Sequence, residues 1–171
     1  MFSVSRSARF AFALFAATSM AACTKTPDED PNAAGGAGKL GGVGTGVASP
    51  GSQQDFVVNI GDRVFFESDS TELSGTAQAT LDKQARWLQQ YARYSFTVEG
   101  HADERGTREY NFALGARRAE VTKNYLAAKG VTASRMKTIS FGKERPVAVC
   151  NDISCWSQNR RAVTVLSGGT S

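Results

Sequence analysis

A chain of 171 residues is enough for one domain with appendages. The formal net charge is +4, and Arg6 and Arg9 supply two of those charges, leaving about +2 for the rest. That balance, with no Lys/Arg-rich run interleaved with aromatics, excludes a nucleic-acid-binding protein; a single histidine argues against a metal centre.

Residues 1–22 read as an export signal. Arg6 and Arg9 give the positive start, and Phe10 to Ala17 is an apolar core too short to span a membrane as a mature helix. Met20-Ala21-Ala22-Cys23 follows and resembles the lipobox of bacterial lipoproteins, in which the cysteine becomes the acylated N-terminus. Several acyl chains on Cys23 would anchor the chain stably, and this covalent lipid is the only prosthetic group expected. Thr24 stands where an aspartate would retain some lipoproteins at the inner membrane, so the outer membrane is expected, with the domain facing the periplasm. Residues 23–54 read as the acylated cysteine and a disordered tether rich in Gly, Ala, Ser and Pro. Such a coil spans about 30 Å on average and about 100 Å at full stretch.

The folded domain is expected over 55–171. Asp55 to Ile60 and Arg63 to Phe66 are β-prone, separated by the turn signal Gly61-Asp62. A helix is expected from Leu73 or Ser74 to about Ala92, with Leu81, Ala85, Leu88 and Ala92 buried and Trp87 packing on Tyr91. Alternation predicts a strand over 95–100, ending in the loop Gly100-His101-Ala102-Asp103-Glu104-Arg105-Gly106. Thr107 then caps a helix over 108–129, which Gly130 ends. Its apolar stripe runs Leu114, Val121, Tyr125, with Arg118 in line. Met136 to Phe141 is a further strand, 143–157 a loop, and Ala162 to Leu166 the last strand, before a frayed tail at 168–171. The fold class is α/β: a two-layer sandwich with two main helices on one face of a mixed sheet, in the order β-α-β-α-β-β.

An arginine in an apolar stripe needs a partner, because an unpaired buried charge is costly. Asp103 is the nearest candidate: it either pairs with Arg118, or the two hold opposite ends of a zwitterionic ligand. Arg105 reads equally as a ligand contact or a solvated loop residue, and Phe66 as core or pocket wall. His101 is expected to be a structural hydrogen-bonder rather than a catalytic base. Glu99, His101, Asp103 and Glu104 cluster, yet no Gly-x-Ser-x-Gly elbow, His-Glu-x-x-His or phosphate-binding glycine loop is present, so no enzyme is expected. Cys150 and Cys155 in an exported chain predict a short-loop disulfide rather than a metal site, stabilising by about 2 kcal/mol.

Thr97 to Thr107, with Asn111-Phe112-Ala113-Leu114-Gly115-Ala116-Arg117-Arg118-Ala119, resembles the signature of the OmpA C-terminal-like family. Ile139 to Pro146 and Asn159-Arg160-Arg161-Ala162-Val163 extend the likeness over roughly 60–167. The resemblance implies noncovalent binding of peptidoglycan through the diaminopimelate of its peptide stem. Asp103 is similar to the family's aspartate on the diaminopimelate amine, and Arg118 to the arginine on its carboxylate. Asn111, Leu114 and Phe66 fall on matching positions, and Arg105 and Thr107 lie beside them. Glu67 stands where the family's lipid-anchored members usually carry aspartate. Those members also imply TolB and other Tol proteins as partners, and a role in cell division and envelope integrity. The alternative is a wall-anchoring subunit of another envelope complex.

Overall fold

The computed structural model describes residues 48–168. The export signal 1–22, the lipidation at Cys23, most of the tether and the end of the tail lie outside the described residues.

Four strands make one sheet: β1 (Arg63–Phe65), β2 (Ser95–His101), β3 (Met136–Gly142) and β4 (Arg161–Ser167), in the order β1-β4-β2-β3. β4 runs antiparallel to β1 and β2, whereas β2 and β3 are parallel, as a helix crossover between them requires. The two main helices, α2 (Gly75–Gln90) and α3 (Arg108–Ala128), cover one face. Val64, Phe96, Val98, Met136 and Ala162 from the sheet meet Leu81, Ala85, Leu88, Ala119 and Leu126 from the helices. The expected architecture is therefore present, and the stripe Leu81, Ala85, Leu88 is buried as predicted. Ala92 is not: α2 stops at Gln90, and Ala92 is exposed in the following turn.

Three local expectations are corrected. Residues 55–60 form no strand. Instead α1 (Gln53–Asp55) runs into a π-helical turn over Phe56–Gly61. Ser52 caps α1, its hydroxyl accepting from the Asp55 N–H at 3.0 Å. Phe56 is fully buried against Trp87, ring centroids 4.9 Å apart, while Val57 and Val58 face solvent. Burying one phenylalanine is worth about 2 kcal/mol, which outweighs the weak strand preference of two exposed valines.

The folded unit also takes in residues expected to belong to the tether. The buried Asp55 carboxylate accepts from Gly51 N at 2.8 Å, Trp87 Nε1 at 2.8 Å and Asn59 Nδ2 at 2.8 Å. These bonds, Trp87 foremost, hold its pKa below the usual carboxylate range. The Gly51 carbonyl accepts in turn from Tyr94 Oη at 2.9 Å and Arg93 Nη2 at 2.6 Å. Gly51 has φ +77, and a Cβ there would lie 2.4 Å from the Tyr91 ring.

The third correction is a short helix, α4 (Ile153–Asn159), inside the expected loop 143–157. Asp152 caps it, accepting from Ser154 N at 2.7 Å. The expected Cys150–Cys155 disulfide closes across its first turn, with a Cα–Cα distance of 5.7 Å.

At the centre of the molecule α3 lies on β2 backbone to backbone. A Cβ on Gly100 would come within 1.8 Å of the Gly115 carbonyl oxygen, and one on Gly115 within 2.5 Å of Ser140 Oγ. Ser140 Oγ donates to the Phe112 carbonyl at 2.6 Å, fixing the first half of α3 against β3.

A chain starting at Asp55 loses the Ser52 cap and the Gly51 contacts. It is expected to unfold about 1–3 kcal/mol more easily than one starting at residue 48, measured by urea titration. Identical midpoints would mean that residues 48–54 add nothing to the fold.

Candidate functional site

β2 leaves the sheet through a register shift at Gly100/His101. Ala102 N still donates to the Gly142 carbonyl at 2.8 Å, so the chain turns under the start of α3 and buries Asp103. Gly106, with φ +83, lets the loop re-enter α3, where Thr107 Oγ accepts from Tyr110 N at 3.2 Å. Lys143 Nζ donates to the carbonyls of Glu104 and Gly106, bracing the loop from β3's far end.

Asp103 holds two guanidinium groups. Arg105 Nη2 donates to Oδ2 at 2.7 Å and Arg105 Nε to Oδ1 at 3.3 Å, while the buried Arg160 Nη1 reaches Oδ2 at 3.4 Å. Burial pushes the Asp103 carboxyl up, but the Arg105 hydrogen bonds and then Arg160 bring it below the ordinary range.

Arg118 is fully buried, as its place in the stripe of α3 predicts. Its partner is not Asp103. Nε donates to the Ser70 carbonyl at 2.9 Å, Nη1 to the His101 carbonyl at 2.9 Å and Nη2 to the Glu67 carbonyl at 3.1 Å. The guanidinium stands over the Phe66 ring, 5.2 Å from its centroid. Burial lowers its pKa to about 10, so it remains charged at neutral pH. Three of its five N–H donors are engaged among the described residues, which leaves two.

Asp103 and Arg118 line one cavity of about 300 Å³ with Ser68, Asp69, Arg105, Gly106, Tyr110, Asn111 and Leu114. Asn111 is held in place by donating from Nδ2 to the Arg105 carbonyl at 2.7 Å. Tyr110 Oη donates to the Asp69 carboxylate, bridging α3 and the loop after β1. Asp69 adopts φ +58, a conformation few non-glycine residues take. The resemblance-derived residues divide accordingly. Asp103, Arg105, Asn111, Leu114 and Arg118 meet at the cavity. Phe66 is core, beneath Arg118. Glu67 contributes its carbonyl to Arg118, and the residue lines a neighbouring groove with Glu72 and Arg160. Thr107 caps α3 and is not among the residues lining the cavity.

Sequence reasoning missed Ser68, Asp69 and Tyr110, which only folding brings to the cavity with Asp103, and it gave Arg160 no role at the site. The one signal for Arg160 was its place in the family-like stretch Asn159 to Val163. The expectation for His101 is also corrected. Neither ring nitrogen has a hydrogen-bond partner among the described residues, and Glu99 Oε2 stands 3.7 Å from Nε2. The ring is buried and stacks on Phe141 at 5.5 Å; its carbonyl, not its imidazole, serves the site by accepting from Arg118. Among the described residues no group of three or more His, Cys, Asp or Glu is arranged to hold a metal ion.

The OmpA family model matches residues 65–160, which hold every lining residue of this cavity. The chain belongs to the OmpA family. It is 64% identical over 156 residues to the peptidoglycan-associated lipoprotein of Agrobacterium fabrum, covering 91% of this chain and 86% of that one. The peptidoglycan-associated lipoprotein of Rhizobium meliloti is 66% identical over 141 residues, covering 82% and 78%. Among solved structures, the peptidoglycan-associated lipoprotein from Burkholderia pseudomallei superposes with a TM-score of 0.60 at 40% identity, over 62% of this chain and 90% of that one. The C-terminal domain of Helicobacter pylori MotB shares the fold, with a TM-score of 0.59 at 22% identity over 63% and 85%.

Burial, then the charges of Arg161, Arg145 and Arg63, lower the His101 pKa from 6.5 to about 4. Between those values the unfolded chain binds more protons than the folded one, so stability falls as the pH drops from 6.5 to 4. The loss is expected to reach on the order of 3 kcal/mol. Denaturation midpoints across that window should slope for the native chain and flatten for His101→Gln; equal slopes would assign the effect to other groups.

Proposed function

We propose that this chain is a lipid-anchored envelope protein that grips the cell wall noncovalently through the diaminopimelate of its peptide stems. The observation that carries the reading is the pairing of opposite charges across one small cavity. Asp103 lines it together with the buried Arg118, which has two N–H donors without a partner among the described residues. Diaminopimelate presents an ammonium and a carboxylate on one carbon. Arg118 suits the carboxylate through parallel hydrogen bonds, which lysine would not reproduce. Asp103 suits the ammonium, which must take over lone pairs now held by Arg105. That exchange is feasible because the Arg105 side chain is 44% exposed and has Ser68 Oγ as a further partner at 2.7 Å. The first turn of α3 adds favourable potential for an anionic group. The work is binding, with no bond made or broken.

Because Arg118 also holds three backbone carbonyls, Arg118→Ala is expected to lower the melting temperature along with binding. Asp103→Asn is the cleaner test. It should keep the fold by circular dichroism yet lose about 2–5 kcal/mol of binding to diaminopimelate-type sacculi in a pull-down. Lysine-type sacculi, lacking the carboxylate, should be retained poorly by the native domain. A folded Asp103→Asn domain that binds both wall types as well as the native one would end this reading.

The same reading makes Cys23 the acylated residue, the outer membrane the site of anchorage and Tol proteins, TolB among them, the partners. The lipobox-like Met20 to Cys23 and the names of the relatives support it. No helix of the described residues is long and apolar enough to cross a membrane; on this reading the attachment is the lipid on Cys23. In a detergent phase separation, the native protein should enter the detergent phase and bring TolB with it on affinity capture. Cys23→Ser should move to the aqueous phase. Unchanged partitioning of that variant, or capture without TolB, would contradict the anchor or the partner respectively.

A further inference from the structure

α4 carries more than its length would support. Seven residues do not make a stable helix alone, and α4 is tied at both ends. The Cys150–Cys155 disulfide closes its start. At its end the buried Asn159 accepts from Val147 N at 2.9 Å and Ala148 N at 3.2 Å and donates to the Ala148 carbonyl at 2.8 Å. The preceding loop is thereby folded back onto the helix.

This braced helix touches the acidic centre twice. Arg160, the residue after α4, reaches Asp103 directly and also donates from Nε to the Phe66 carbonyl at 3.0 Å. Trp156, the residue after Cys155, lies under the Arg105 guanidinium, whose central carbon is 4.4 Å from the ring centroid. The indole N–H of Trp156 donates to the Glu104 carboxylate, which orients the ring. Arg105 is thus held between a π-face and Asp103.

We propose that Trp156 is a positioning residue for the wall site, acting through Arg105, and that the Cys150–Cys155 disulfide acts on the site through Trp156. The inference rests on the wall-binding reading above. A ligand ammonium arriving at Asp103 displaces Arg105 from the carboxylate. With Trp156 beneath it, the guanidinium stays on the aromatic face and beside Ser68, keeping its charge at the cavity rim. Without Trp156, this long, rotamer-rich side chain must be turned out to water or must stay on Asp103 and compete. Both outcomes weaken the ligand.

The test is sacculus binding by the folded chain, with diaminopimelate-type sacculi as the probe. Trp156→Ala is expected to bind roughly three- to tenfold more weakly, the size of a partly exposed cation–π contact, and Trp156→Phe to recover most of the loss. Cys150→Ser/Cys155→Ser should show a similar loss, and adding Trp156→Ala to it should cost little more. The decisive comparison is made in Arg105→Ala. There Trp156→Ala should have no further effect on binding, because the group it positions is gone. An equal loss with and without Arg105 would reduce Trp156 to general support of the fold and overturn the proposal. Full binding by Trp156→Ala, or by the double cysteine variant, would overturn it as well. Asp103→Asn run alongside separates the two levels. If it binds normally, the wall site itself is misassigned. If it fails while Trp156→Ala binds, only the positioning role falls.

Discussion

The fold around the cavity depends on one buried cation. Taking a guanidinium out of water costs several kcal/mol, and Arg118 offsets that cost with three backbone carbonyls and an aromatic face rather than with a carboxylate. Those carbonyls belong to Glu67, Ser70 and His101, in the loop after β1 and at the end of β2. A single side chain of α3 therefore fixes two loops that share no sequence proximity. The glycine contact of Gly100 with Gly115 sets how near α3 can come, and so whether Arg118 reaches both.

Because backbone carbonyls carry no net charge, Arg118 keeps its own. Among the described residues no direct ion pair cancels the positive charge that lines the cavity, and its pKa is depressed to about 10, still well above neutrality. Asp103 is in the opposite condition, already shared by Arg105 and Arg160. On the proposed reading, an anion is met at Arg118 and a cation reaches Asp103 by exchange with Arg105. A ligand bearing both charges at short separation answers both conditions, whereas a simple cation would meet competition from two arginines.

What could be read along the chain followed from periodicity. The stripe Leu81, Ala85, Leu88 and the alternation Phe96, Val98 place α2 and β2 as the structure has them, since each periodicity corresponds to one buried face. Where reading failed, a nonlocal partner decided. Asp55 to Ile60 is strand-like in composition, but Trp87, 32 residues on, draws Asp55 and Phe56 into a helical turn. α4 has too few residues for a periodic signal; its caps, the disulfide and Asn159 make it. His101 looked like a hydrogen-bonder because imidazole usually is one, yet its buried ring stacks on Phe141 and has no hydrogen-bond partner among the described residues.

The sequence by itself determined the order of the four strands and the two main helices, the disulfide, and the two charged residues Asp103 and Arg118 as candidates, because an arginine within an apolar helical stripe and an acid in a strand-to-helix loop are local patterns. It also carried the likeness that names the family. Only the tertiary structure decided how those charges are spent. Whether Arg118 pairs with Asp103 or with carbonyls depends on where the loop after β1 lies, and that loop is some 50 residues away in the chain. The same holds for Arg160 and Trp156, which reach Asp103 and Arg105 from more than 50 residues further on. Distances of that kind are set by the packing of α3 on the sheet and by the bracing of α4, and no pattern within a single element encodes them.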